Sequence, residues 1–356
     1  MDRKYLTISL NGLTDAKYDE AVRNASDIQD TDDGGEWCTL ILRMAEEIKR
    51  RKGIEESLKY LKAMLPEYGR IFPNLFDKSA EILKGECHYN LEADHYDEAK
   101  ANMKQYMYKA LAQVDYKAKV DKMRFYSFRG FSDHSLKDIK EEKITLAHPR
   151  MFNDPLDTIL VWWMEKEIER MGDTEIQKKY TLLMKKVAEN IKIRCLIAGK
   201  DKTTGAEIPA EKLSSLMWAH YANSHKGFCV EYELDRSFLK SNSDDANNKI
   251  TLINEINYTH DLELAGEPSI KEAIFNKGDF WSYEREVRLV QYDGEGKEDF
   301  PTLDCKSRVK AVYLGVKCSD IDRREMEKAI GSKDIALYQM KIDGSRLTNF
   351  NKHQIG

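Results

Sequence analysis

Apolar side chains recur at spacings of three and four through roughly the first 115 positions, with no sustained alternation, and this pattern predicts helices. Ile54, Leu58, Leu61 and Leu65 form one stripe, and Pro66 is expected to close that helix. Leu40 to Ile48 carries another stripe. It runs into Lys49, Arg50, Arg51 and Lys52 just before Gly53, where cations complement the negative helix end and a glycine terminates it. Lys78 to Asn90 and Tyr96 to Leu111 are expected as a helix pair around a break at Glu92 to His95.

From Met123 the texture changes. Period-two alternation predicts strands at Lys143 to Leu146, Lys226 to Leu234, Ile250 to Tyr258, Glu286 to Tyr292, Arg308 to Val316 and Ile335 to Ile342. In the second of these Phe228, Val230, Tyr232 and Leu234 share one face and Glu231 and Glu233 the other, as in a half-buried antiparallel strand. Helices are expected from Ser132 or Asp133 to Ile139, from Pro155 to Ile191, from Pro209 to Ala222, from Pro268 towards Gly278, and from Ser319 to Gly331. Strands and helices mix without strict βαβ alternation. The fold class is therefore α+β, with a helical domain over 1–118 followed by a domain over 119–356 built on a mixed or antiparallel sheet.

Charge narrows the function. Lys and Arg number 57 against 62 Asp and Glu, a formal net charge of -5, so bulk attraction to nucleic acid is not expected. The longest apolar run, Ile159 to Met164, is far too short to span a membrane, and no secretory signal is expected from the N-terminal stretch. The expected compartment is the cytoplasm. Six cysteines lie singly and suit a reducing environment. His220 and His225 are five apart, which does not align them on one helix, and no metal site is expected. The sequence contains no GxGxxG after a strand, no GxxxxGK[ST], no HExxH and no GxSxG.

Three strings concentrate aromatic residues beside Arg, His, Asn or Glu, the composition of a polar pocket with stacking walls. They are Phe125 to Ile139 with Ile144 to Asp157, then Met217 to Tyr232, then Phe280 to Val290. Each also has a structural reading. FNDP makes a turn, and Trp218 and Tyr221 are spaced for one helix face and a core. Together, Tyr126, Phe128 and Arg129, Phe152 to Pro155, Trp218, Tyr221, His225, Gly227 and Phe228, and Trp281, Tyr283, Glu284, Glu286 and Arg288 resemble the bacterial domain-of-unknown-function family numbered 2971, over about Met123 to Ile342. That resemblance implies a fold and no settled activity. Separately, Gly85 to Leu111 resembles a tetratricopeptide-type unit in which Gly85 and Tyr89 on one helix pack against Ala99 on the next, with a generic helical bundle as the alternative.

The layout also looks like that of ADP-ribosyltransferases, an analogy of order rather than motif. Cleaving the nicotinamide–ribose bond of NAD needs a carboxylate beside the oxocarbenium-like centre, a cation for the pyrophosphate and aromatic walls. Glu286, then Glu284, are the candidate catalytic carboxylates, expected on one strand face with Arg285 turned away. Arg129 is the candidate for the phosphates, Tyr126 or Trp281 for the nicotinamide, and Asn153, Trp218, Tyr221 and His225 for further contacts. The alternative use of these charges is an Arg129–Glu286 or Glu284–Arg288 ion pair that organises the sheet. On the catalytic reading Glu286→Gln abolishes NAD turnover and leaves the fold intact. Two other classes remain: a metal-dependent nuclease using Asp154, Asp157, Glu284 and Glu286, and a non-catalytic binding module whose N-terminal helices meet a protein or peptide partner.

Overall fold

A computed structural model describes residues 34–117, 123–152, 174–201, 203–260, 269–296, 298–342 and 350–355. These fall into two compact units. Of the described residues, the first takes in 34–117 and 174–190, and the second takes in 123–152 and those from 191 onward.

The first unit opens with helices α1 (Gly34–Lys52), α2 (Ile54–Ile71), α3 (Phe76–Glu92) and α4 (Tyr96–Lys117). Gly53 separates α1 from α2 at φ +92°, a backbone region that only glycine enters cheaply. Helix α2 does not end at Pro66 but runs through it for five more residues. Proline removes one backbone bond there, and burial compensates: Met64 and Tyr68 are sunk in the core with Trp37, Ile41 and Met44, and the Tyr68 hydroxyl donates to the Gly34 carbonyl at 2.6 Å. The Gly85 region departs from the expected pairing as well. A Cβ at Gly85 would lie 2.8 Å from Leu42 Cδ2, so its closest neighbour is α1. Tyr89 also turns to α1, bonding to Glu46 and lying under the Lys49 ammonium, while Ala99 is fully buried and its carbonyl accepts from Cys87 Sγ at 3.3 Å.

The chain then forms β1 (Met123–Arg129), α5 (Asp133–Glu141) and β2 (Lys143–Thr145) of the second unit before returning as α6 (Glu175–Ala188). Helix α6 lies in the span expected to be helical in the second domain, yet it packs in the first unit: Tyr180, Leu183, Met184 and Val187 are buried, and Tyr180 stacks on His88 of α3 at 4.0 Å. It also stops short of Ile191, which opens strand β3 (Ile191–Ala198).

The second unit continues through α7 (Ser215–Tyr221), β4 (Phe228–Leu234), α8 (Arg236–Ser241), β5 (Lys249–Glu255), β6 (Asn257–Thr259), α9 (Ile270–Phe275), β7 (Asn276–Gly278) and β8 (Glu286–Asp293). It closes with β9 (Thr302–Asp304), β10 (Val309–Leu314), α10 (Asp320–Ile330), β11 (Ala336–Ile342) and β12 (Phe350–Gln354). Eight strands form one sheet in the order β12-β11-β10-β4-β1-β3-β8-β5. All neighbours are antiparallel except β10 and β11, so the sheet is mixed and the chain is α+β.

Period-two alternation sorts side chains to two buried layers. Phe125, Phe228, Val230, Tyr232, Val287 and Leu289 face a core closed by Ile139 of α5, Phe238 of α8 and Met326 of α10. Tyr126, Phe128, Cys229 and Tyr313 face another, closed by Met217 and Trp218 of α7. Strand β4 is therefore buried on both faces rather than half-buried, and Glu231 is accommodated because the Tyr313 hydroxyl donates to it.

One feature of the sheet positions the site. Strand β1 pairs with β4 along its whole length, but with β3 only at Phe125↔Ala198 and Tyr126↔Ile197. Beyond those two pairs β3 takes another partner, because Ala147, after β2, bridges to Ile193. The sheet forks there. No helix among the described residues is long and apolar enough to cross a membrane.

Candidate functional site

A cavity of about 550 Å³ opens at this fork, within the range of small-molecule sites. Tyr126 and Phe128 of β1 line it, with residues Ile193 to Ile197 of β3 and Met151 and Phe152 from the segment after β2. Met217 and Tyr221 of α7, Lys277 of β7, and Trp281, Glu284 and Glu286 complete the wall.

Its polar centre is built around Lys277. The Lys277 ammonium donates to Glu284 Oε2 at 2.6 Å and to Glu286 Oε2 at 2.8 Å, with all three side chains almost inaccessible. Arg288 Nε donates to the other Glu286 oxygen at 2.7 Å, and its Nη1 donates to the Ile274 carbonyl. Tyr221 donates to Glu284 Oε1 at 2.5 Å, and the Glu286 backbone N–H donates to the Tyr258 hydroxyl at 2.8 Å. The Lys277 ammonium also sits 5.3 Å from the Trp281 ring centre.

The two glutamates do converge, but not as neighbours on one strand face. Asp279–Glu284 is a 3-10 turn, Arg285 is left-handed at φ +52°, and only Glu286 belongs to β8. That reversal swings the Arg285 side chain out to Asp201, at 3.2 Å, and brings Glu284 back over Lys277. The environments differ. Burial pushes the Glu284 carboxyl above the usual range, with Lys277 and Tyr221 opposing. Burial acts on Glu286 in the same sense, but the Arg288 guanidinium and the Lys277 ammonium overcome it and hold the carboxyl down at about 2. Glu286 is thus the counter-ion of two buried cations, and Glu286→Gln is expected to weaken the fold as well as any chemistry.

The other expected residues divide. Tyr126, Tyr221 and Trp281 line the cavity; Trp218 stands behind it, edge-on to Phe128 with ring centres 4.9 Å apart. Arg129 is not in the cavity. Tyr126, Ile197 and Glu286 form one row across three strands and share a face, and Arg129, three residues along β1 from Tyr126, points to the opposite one. There its Nη1 donates to Asp138 Oδ2 of α5 at 2.6 Å, which also rules out an Arg129–Glu286 pair. The expected Glu284–Arg288 pair is replaced by Lys277–Glu284. Asn153, Asp154 and Asp157 lie outside the described residues.

His225 is not among the residues that line the cavity, and its backbone holds a turn. Asn223, Ser224 and His225 are successive left-handed residues, at φ +47°, +54° and +70°. They turn the chain from α7 into β4 so that His225 N donates to the Trp218 carbonyl at 3.0 Å and His225 O accepts from Lys317 N at 2.9 Å. A Cβ at Gly227 would lie 2.1 Å from the Arg129 carbonyl, which explains a glycine there. The segment from α7 to β8 thus supplies this turn, both glutamates and Lys277.

Residues 217–289 match the family model described as protein of unknown function (DUF2971). The matched DUF2971 segment holds Met217, Tyr221, Lys277, Trp281, Glu284 and Glu286, while the β1 and β3 walls lie outside it. No curated protein and no solved structure matches the chain. Among the described residues no group of three or more His, Cys, Asp or Glu side chains is placed to hold a metal ion.

Sequence reasoning missed Lys277, Arg194 and Cys195. The alternation Ile191-Lys-Ile-Arg-Cys was the available sign of a strand for the last two. Lys277, in Asn276-Lys-Gly, carries no local sign of burial.

Proposed function

We propose that the second unit is an ADP-ribosyltransferase-like effector domain that binds NAD in the forked-sheet cavity and acts on its nicotinamide–ribose bond. The observation that carries this reading is the split between two adjacent carboxylates in an aromatic-walled cavity, Glu286 held ionised by two cations and Glu284, whose carboxyl burial raises, the stronger base of the two. Environments that push paired carboxyls apart are those that divide the roles of charge stabiliser and proton carrier. When the C–N bond breaks, the electron pair leaves with neutral nicotinamide and positive charge develops on the ribose. The Glu286 anion lies in the wall that would meet that charge. Water or an acceptor then bonds to the ribose carbon, and its proton passes to the Glu284 carboxylate, which Tyr221 orients. The helical first unit is the region suited to a protein or peptide partner.

A specific observation favours a second reading: Lys277 occupies an oxygen of each glutamate, as in a purely structural cluster of a ligand-binding module. Nicotinamide release from NAD by the full chain, read by chromatography, separates the two. The catalytic reading expects release, and a loss of at least about 100-fold in Glu284→Gln, in the range of general acid–base contributions. NAD that stabilises the protein thermally without release favours the binding module. Neither release nor stabilisation overturns both.

A further inference from the structure

The charges at the cavity cancel. Lys277 and Arg288 stand against Glu284 and Glu286 in one cluster, and these four side chains are between 0% and 4% exposed. The two other arginines of the fork are turned away. On β3 the residues that share the face of Tyr126 and Glu286 are Ile193, Cys195 and Ile197, so although β3 borders the cavity the register sends the Arg194 side chain to the opposite face. There its Nε and Nη2 donate to the Ser127 hydroxyl at 3.2 and 2.7 Å, and Arg129, on that same face, is held by Asp138. Among the described residues, the cations on the cavity side of the fork are thus each matched by a carboxylate. The wall that remains is mainly ring surface, from Tyr126, Phe128, Phe152, Tyr221 and Trp281, with Met217 among them.

An anion entering this space would leave water without gaining a cation of its own, and it would lie near two carboxylates whose counter-ions are already shared. A charge moved into an apolar site without a partner is the costliest group to bury. A flat ring loses little on entry and gains stacking and dispersion contact with the aromatic walls. We propose that the cavity receives a planar ring that carries no anionic group, a pyridine carboxamide or a nucleobase, and that any phosphate of the same ligand stays outside. The proposal deepens the NAD reading, on which it rests for the choice of rings: the dinucleotide enters ring first and its pyrophosphate remains beyond the fork.

The test is a ligand-observed NMR titration of the full chain at neutral pH with nicotinamide, nicotinate, adenosine and inorganic pyrophosphate. Nicotinamide or adenosine is expected to bind. Nicotinate, which differs from nicotinamide by one charge and hardly in shape, is expected to bind at least about tenfold more weakly. Trp281→Ala should weaken the ring that binds by about threefold to tenfold, the range of an aromatic pair, which places that ring in this cavity. The charge argument has its own variant. Met151 lines the cavity and is 59% exposed, so Met151→Lys adds an uncommitted ammonium at its edge without opening a core. The preference for nicotinamide over nicotinate should then narrow by about threefold or more. Binding of neither ring overturns the proposal, as does nicotinate bound as tightly as nicotinamide, or pyrophosphate that displaces the bound ring. A bound ring indifferent to Trp281→Ala, or a preference that Met151→Lys leaves unchanged, overturns it too. Adenosine bound without nicotinamide, or nicotinamide bound without release of nicotinamide from NAD, sinks the catalytic reading and leaves this one standing.

Discussion

Glu286→Gln is the substitution with the largest consequence that the structure lets us work out. Glu286 balances Arg288 at 2.7 Å and Lys277 at 2.8 Å, and these cations are 0% and 3% exposed. Glutamine keeps the volume and one acceptor oxygen, but it removes the charge and turns an NH₂ group towards one of the two cations. Breaking a buried ion pair by neutralising one partner costs about 3–5 kcal/mol. Lys277 retains Glu284 at 2.6 Å and Arg288 keeps the Ile274 carbonyl, so the loss falls mainly on the Arg288 charge and the cost should lie near the lower end, about 3 kcal/mol. Because the chain has two units, hydrogen exchange followed peptide by peptide is a better assay than one global melt. Amides of β3 and β8 that open with the second unit should exchange on the order of 100-fold faster in the variant, since each 1.4 kcal/mol is a factor of ten. Peptides of α1 to α4 should not change. Combining Glu286→Gln with Arg288→Met, which removes the stranded cation, should recover most of the loss. Exchange of β8 within about threefold of wild type in the single variant would refute the assignment of Glu286 as counter-ion.

Acid should weaken the second unit in two stages. His148, held neutral down to about 4 by burial with Lys192 and Arg150 adding to it, has a folded pKa below its ordinary 6.5, so stability falls as pH drops from 6.5 towards 4. Glu286 follows: its contribution is complete above 4.5 and is lost between 4.5 and about 2, roughly 3 kcal/mol in all, and a pH series of melting curves should lack this second stage in Glu286→Gln. Gly227→Ala should cost about 3 kcal/mol or more, because the added carbon meets backbone oxygen at 2.1 Å, and soluble yield with a wild-type melting temperature would contradict that geometry.

Much of the sheet was legible because its strands carry the two-residue period on which burial depends. Strands β4, β8, β10 and β11 fall where alternation placed them. Strand β3 was given no element, since the helical reading stopped at Ile191 where the strand begins, and Arg194 and Cys195 went unread with it. The same alternation held the correction for Arg129: if Tyr126 and Phe128 face the cavity, the next residue faces away. Aromatic and acidic strings did mark the cavity wall, since Tyr126, Tyr221, Trp281, Glu284 and Glu286 all reach it. What no local pattern carried was the partner set. Lys277 joins the glutamates through a tertiary arrangement of β7 against a turn seven residues on, and Asp138 claims Arg129 from a helix on the far face of the sheet.

The short β1–β3 ladder also divides the large sheet mechanically. Five strands, β12 through β1, make one panel and three, β3, β8 and β5, make the other, and two residue pairs are the seam between them. Each panel is internally stitched along most of its strand length, while the seam is held by those two pairs, by the Gly199 N–H on the Arg124 carbonyl and by Arg194 on the Ser127 hydroxyl. Tyr126 and Phe128 ride on the first panel, and Arg194, Glu286 and Cys195 ride on the second. The β1 aromatic wall and the β8 carboxylate wall of the cavity are therefore carried by different panels of the sheet, and the width between them is set at the seam.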